Sequence, residues 1–137
     1  MDRYLLDTNI VVFSLFNPKE LKRAVENLLN DYNNRLYVSA ASIQEIIYLY
    51  KRNKIKTKWK KPEEILPSID EKNFEILPVK KEHLVTYSKL SILSEHNDPI
   101  DHIIISQAIT EKITLISSDG KFEDYVSQKL DFIFNDR

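Results

Sequence analysis

The chain has no cysteine. That excludes disulfides, thiolate metal sites and cysteine nucleophiles, and it fits a reducing cytoplasm. Glycine is nearly as scarce, with Gly120 alone among 137 residues. A Walker loop or a Gly-x-Gly-x-x-Gly dinucleotide turn needs several glycines, so enzymes built on those cradles are excluded too. Long apolar runs are absent; every hydrophobic stretch falls far short of the ~20 residues that span a bilayer. The N-terminus, Met1-Asp2-Arg3-Tyr4-Leu5-Leu6-Asp7, has no signal-peptide apolar region or cleavage site, so no membrane association is expected and a cytoplasmic location is. An excess of one charge is also missing. Net charge is −1 and the isoelectric point about 6.3, so nucleic-acid binding would need a local patch.

Hydrophobic residues make up 42% and charged residues 30%, a globular balance, and residues 1–137 suit one domain with a real core. Short strands are expected at Tyr4–Leu6, Leu36–Val38, Phe74–Leu77, Ile113–Ile116 and Phe132–Phe134. Helices are expected between them. One runs through Val11–Leu15, and one opens at Pro18 with Leu21, Ala24, Val25, Leu28 and Leu29 inward. A third spans Ala40–Arg52 behind the cap Ser39, and a fourth runs from Pro62 to Ile69. The fifth covers Lys81–Leu93 with Leu84, Tyr87, Leu90 and Ile92 inward, and the sixth Asp98–Lys112. A short helical turn is expected at Phe122–Val126. Short apolar strands alternating with helices imply an α/β fold, a three-layer α/β/α sandwich around a mainly parallel sheet of about five strands. Such sheets carry their sites outside the carboxyl ends of the strands.

Four acids are expected to meet there. In Asn97-Asp98-Pro99-Ile100-Asp101-His102, Pro99 suits a first helical position with Asp98 as N-cap. Asp101 then heads a stripe continued by Ile104, Ile105 and Ala108. Asp7 and Asp119 each follow a strand directly, and Glu45 lies in the early turns of the helix after Ser39. Each has a purely structural alternative. Asp98 and Asp101 suit a cap and the helix dipole, and Glu45 with Ser42 fits a capping box. Thr8 and Ser118 could orient a water or a phosphate, or be turn hydroxyls. Several ionised carboxylates in one pocket repel by about 4 kcal/mol per pair at 4 Å and an effective dielectric of 20, so cations or protons must offset them. Oxygen donors without cysteine select a hard ion, Mg²⁺ or Mn²⁺, and the matching chemistry is phosphodiester hydrolysis. His96 and His102 read as hydrogen-bonding residues rather than obligatory ligands. The run Lys51, Arg52, Lys54, Lys56, Lys58, Lys60, Lys61 holds no acid and contains Trp59. It reads either as solvated surface or as an RNA-contacting patch with an aromatic for stacking.

These stretches carry a resemblance. Leu5-Leu6-Asp7-Thr8-Asn9, Ser39 to Ile46, Asn97 to His102 with Gln107-Ala108, and Thr114 to Asp119 resemble, in order and spacing, the motifs of PIN-domain proteins. The VapC-like toxin ribonucleases of type II toxin–antitoxin systems are the most similar branch. The resemblance covers nearly the whole chain. It implies an α/β/α sandwich with Mg²⁺- or Mn²⁺-dependent endoribonuclease activity, homodimerisation and a partner antitoxin. Its four acids correspond to Asp7, Glu45, Asp101 and Asp119, with Asp98 an additional acid beside them. The chain departs from the pattern at His102, where arginine commonly follows the third acid. Two alternatives stand beside this reading. One is a phosphoryl-transfer protein, although Asn9 occupies the place of a second aspartate and Asp7 lacks the acidic partner a receiver needs. The other is a catalytically silent PIN-like module that binds RNA or protein.

Overall fold

Asp7, the acid that follows the first strand, takes its place from a backbone bond to the fourth: Asp7 N–H donates to Ile116 O at 2.9 Å. That pairing is the centre of the sheet. The computed structural model of the chain describes residues 2–93 and 95–137. Strands β1 (Arg3–Leu6), β2 (Arg35–Ser39), β3 (Glu75–Leu77), β4 (Thr114–Ser117) and β5 (Phe132–Phe134) pair in the order β3-β2-β1-β4-β5, every pair parallel. The strands are short and β-branched or aromatic, which suits a pleated layer buried on both faces.

The period-2 alternation divides the core in two. Leu6, Leu36, Val38 and Ile116 face one side, where Ile10 and Val11 of α1 (Thr8–Phe16) and Val25 of α2 (Arg23–Leu29) cover them. Ile43 and Ile46 of α3 (Ala40–Lys51), with Ile65 and Ile69 of α4 (Ile65–Glu71), complete that layer. Leu5, Leu77 and Leu115 face the other side, under Ile104, Ile105 and Ala108 of α6 (Pro99–Glu111). Helix α5 (Lys81–Lys89) lies against α6. A 3₁₀ segment, Gly120–Gln128, adds the fully buried Phe122 and Tyr125 to that second core. The result is the expected three-layer sandwich. Strand order runs outward from β1 through β2 to β3, then restarts at β4. The reversal falls between β1 and β4, so their carboxyl ends border the crevice where such sheets bind ligands.

Three expectations about helices change. The helix from Pro18 is split into a 3₁₀ turn, Pro18–Glu20, and α2. The buried Asn135 side chain causes the break, accepting from Lys22 N at 2.7 Å and donating to Glu20 O at 2.9 Å. Helix α5 stops at Lys89 rather than Leu93, because the Gln128 amide takes both backbone groups of Ser91, at 2.9 and 3.0 Å. Its phase also differs. Leu84 is 51% exposed and Ile92 43%, whereas His83 is fully buried. His83 Nδ1 accepts from Lys80 N–H at 2.9 Å, capping α5, and Nε2 bonds Glu111 of α6 at 2.8 Å. An imidazole therefore does the anchoring that leucine periodicity assigned to Leu84. The third change is the 3₁₀ segment Gly120–Gln128, longer than the turn expected at Phe122–Val126.

Among the described residues no glycine adopts a left-handed backbone; Asn53, Asn73, Lys112 and Lys129 take φ of 54 to 77° instead. Lys112 closes α6 this way and Lys129 the 3₁₀ segment, roles usually given to glycine. Among the described residues no helix is long and apolar enough to cross a membrane.

Candidate metal and active site

Three of the expected acids are N-caps. Asp7 Oδ1 accepts from Thr8 N at 2.8 Å, Asp98 Oδ1 from Ile100 N at 2.9 Å and Asp119 Oδ1 from Lys121 N at 2.9 Å. The cap expected of Asp98 is therefore real, Asp7 and Asp119 cap as well, and each cap uses one oxygen. It fails for Glu45. Ser39 caps α3 by accepting from Ala41 N at 3.0 Å, and the Ser42 hydroxyl is buried without a partner, so no capping box forms. Glu45 is left half-buried beside the other acids.

These carboxylates lie close enough to act on one another. Asp7 is 4% exposed; burial, helped by the charges of Asp101 and Glu45, pushes its pKa up to about 7 against the hydrogen bonds from Ser117 and the Thr8 backbone. Asp101 also rises to about 7, through burial first and then the charges of Asp98, Asp119 and Glu45; only Lys121 acts against them. Glu45 is raised by burial, with Asp98 adding to it. The Thr8 hydroxyl faces Glu45 and lowers its pKa, yet lies outside hydrogen-bond geometry and is buried without a partner. So the acids of β1, α3, α6 and the β4 end feel one another.

Neighbouring polar residues, among them Ser117, Asn135 and Tyr125 to which sequence reasoning gave no role, surround the acids. Ser117 Oγ donates to Asp7 Oδ2 at 2.7 Å and accepts from Asp119 N at 2.9 Å, joining two acids through one buried hydroxyl. Asn9 Oδ1 accepts from Ser118 N at 3.3 Å, and Asn135 Nδ2 donates to Ser118 Oγ at 2.6 Å. Gln107 spans to β3, donating to Pro78 O at 3.2 Å. His96 and His102 are both buried. His96 Nε2 lies 2.8 Å from Asp101 Oδ2 and its Nδ1 3.0 Å from Tyr125 Oη. His102 Nε2 donates to His96 O at 2.8 Å and so holds the loop that carries His96. The hydroxyl run Ser117-Ser118 was visible in the sequence; the tie from Tyr125 to His96, across 29 residues, was not.

The donor set fits a divalent cation. One ligand atom each from His96, Asp101 and Asp119 lies within 4.8 Å of the others. Asp7 and Glu45 fall outside that group of three; the Thr8 hydroxyl, buried without a partner, faces Glu45 and would accept a water's hydrogen bond there.

The basic run lies elsewhere. Lys51, Arg52, Lys54, Lys56, Lys58, Lys60 and Lys61 are exposed, on the end of α3 and the irregular segment after it. Trp59 is not a stacking platform. Its ring packs edge-on against Phe16 at 4.7 Å and Tyr50 at 5.9 Å, and Nε1 donates to Ser68 Oγ at 2.7 Å. Burying the indole anchors the segment to α1, α3 and α4. Since α1 and α3 both start at the acid edge, this anchor lies about 12 Å along α1 and about 15 Å along α3, at 1.5 Å per residue.

A parallel α/β/α sandwich with acids gathered at its topological switch defines the class. The PIN domain model matches residues 4–127, and the chain belongs to that family. Solved structures agree on the fold. The chain is similar to VapBC2 from Rickettsia felis bound to a promoter DNA fragment, with TM-score 0.72 and 23% identity over 98% of this chain and 99% of that one. It is similar to DNA-bound VapBC from Salmonella typhimurium, with TM-score 0.71 and 16% identity over 98% of each chain. VapBC-5 from Mycobacterium tuberculosis gives TM-score 0.63 and 16% identity over 98% of this chain and 99% of that one. No curated protein sequence matches the chain.

Proposed function

We propose that this chain is a metal-dependent endoribonuclease, the toxin of a toxin–antitoxin pair, acting in the cytoplasm on RNA with Mg²⁺ or Mn²⁺. The observation that carries the reading is the pocket itself: acids from four elements, two with pKa values near 7, and one lysine to offset them. A fold gains no stability from such a gathering, whereas a cation site requires it.

In this reading Asp7, Asp101 and Asp119 hold the ion, and Glu45 holds the ion or a water beside it. Asp98 adds negative charge at the rim. A divalent ion, when bound, supplies positive charge to the phosphate and makes water more acidic. Thr8, with a free buried hydroxyl, and Ser118, whose oxygen already accepts from Asn135 and keeps its hydrogen to donate, orient water and phosphate. Lys51, Arg52, Lys54, Lys56, Lys58 and Lys60 contact flanking phosphates of a substrate long enough to reach them. The antitoxin and a second copy of the chain are the expected protein partners. Support comes from the VapBC complexes among the similar folds and from exposed apolar side chains, Leu84 and Val85 on α5 and Tyr48 on α3.

The test is cleavage of a mixed RNA pool by wild type and Asp101→Asn, with Mn²⁺ and with a chelator. Metal-dependent products from wild type alone are expected. RNA retention that survives chelation, with no products, would replace the nuclease with a silent binding module.

A further inference from the structure

We propose that His96 is a nitrogen ligand of the pocket's ion and biases the site toward a first-row transition metal over Mg²⁺. The inference rests on the reading that the pocket holds a divalent cation; it does not require RNA as substrate.

The geometry is close to that of a ligand set. Around an octahedral ion with bonds of about 2.1 Å, neighbouring donor atoms stand ~3.0 Å apart and opposite ones ~4.2 Å. His96 Nε2 and Asp101 Oδ2 are 2.8 Å apart, the spacing of neighbouring ligands, and with Asp119 all three donors lie within 4.8 Å, a span that a small side-chain movement brings onto one ion. The imidazole is also built in. Its ring is 4% exposed and meets the edges of His102 at 4.9 Å, Tyr125 at 5.4 Å and Phe122 at 5.6 Å. His96 N–H bonds Leu93 O at 3.0 Å, and His102 Nε2 fixes the carbonyl at 2.8 Å. One ring nitrogen is thus held toward the acids.

The other nitrogen has the partner that a metal-bound histidine needs. Ligation through Nε2 puts the proton on Nδ1, and Tyr125 Oη at 3.0 Å accepts it. Tyr125 is then a positioning residue. Imidazole nitrogen suits transition ions, whereas Mg²⁺ prefers oxygen and keeps its waters.

A second role for the same contact makes the opposite prediction. If His96 only balances the Asp101 charge, it competes with the ion, and removing it strengthens metal binding. Calorimetric titration of the full chain with Mn²⁺ and Mg²⁺ separates the two. We expect His96→Gln to weaken Mn²⁺ binding about 10–100-fold, with Mg²⁺ affinity changed less than about threefold, and Tyr125→Phe to shift Mn²⁺ in the same direction by less. Spin-echo spectroscopy of Mn²⁺ on the wild type needs no variant and should show coupling to a ¹⁴N nucleus that His96→Gln loses. Absence of that coupling, or Mn²⁺ binding equal or tighter in His96→Gln, overturns the proposal. If wild type binds neither ion, the metal-site reading falls with it. If wild type binds Mn²⁺ without nitrogen coupling, only the role of His96 falls.

Discussion

The two edges of the sheet treat the same residue types in opposite ways. At the amino ends of the strands, charges are paired. Arg35 at the start of β2 makes a forked contact with Glu75 at the start of β3, at 2.8 and 2.9 Å, and Arg3 donates to Glu111 O at 2.8 Å. At the carboxyl ends, acids face acids. Asp7, Glu45 and Asp101 have raised pKa values, from burial first and then from neighbouring acids that include Asp98 and Asp119; Lys121 and the His96 contact to Asp101 stand against them. The paired edge is exposed, whereas at the acid edge Asp7 is buried and Glu45, Asp98, Asp101 and Asp119 are partly buried, so solvent screens best the side that has least need of it. Electrostatics thus separates an edge that serves the fold from the edge that the proposed function assigns to an ion.

The sharpest way to break this contrast is to neutralise one acid. Asp101→Asn should lower RNA cleavage at least about 100-fold and leave the circular dichroism spectrum unchanged. A variant that keeps wild-type cleavage would remove Asp101 from the site.

Next is pH. In the metal-free chain Asp7 and Asp101 keep their protons up to about pH 7, whereas the unfolded chain releases them near 3.8. Between those values the folded state binds more protons, so stability falls as pH rises through that window. We expect the metal-free Tm to drop by several degrees from pH 5 to pH 8, and Mn²⁺ to restore it at pH 8. Asp7→Asn should flatten the profile, because asparagine can still cap α1. A metal-free Tm that rises toward pH 8 would contradict the unpaired acid edge.

Smaller effects sharpen the comparison. Ser117→Ala removes a buried hydroxyl from Asp7 and Asp119 and should cost about 1–3 kcal/mol in denaturant unfolding. Replacing Lys54, Lys56 and Lys58 together with glutamine should leave Tm unchanged. It should lower the salt slope of single-stranded RNA binding by about 2, at ~0.7 per phosphate contact. No change in slope would return the basic run to solvated surface. Last, Glu75→Gln at the paired edge should change neither cleavage nor Tm measurably, since exposed ion pairs contribute little.

How much of this was readable depended on the reach of each signal. Asp7 and Asp119 follow strands, Asp98 precedes Pro99, and Ser39 opens a helix. Those are local rules, and the elements they mark form as expected. What stayed hidden acts at long range. Asn135 splits the Pro18 helix from 115 positions away, and Gln128 ends α5 from 37. His83 shows no apolar periodicity, yet it replaces Leu84 as the buried anchor because Glu111 and the Lys80 backbone satisfy both ring nitrogens. Trp59 lies in a run whose composition suggests an exposed ring. Only the packing of Phe16 and Tyr50 turns it inward.

The pairing of β1 with β4 has a consequence in time as well as in space. Ser117 and Asp7, joined at 2.7 Å, are 110 positions apart in the chain. Three strands and six helices emerge from the ribosome before the partner of Asp7 exists. A sheet closed by so distant a contact folds late and slowly compared with one built from neighbours. A nascent chain therefore displays its first acid without the other acids of that edge, and the proposed site is complete only once translation has passed Asp119.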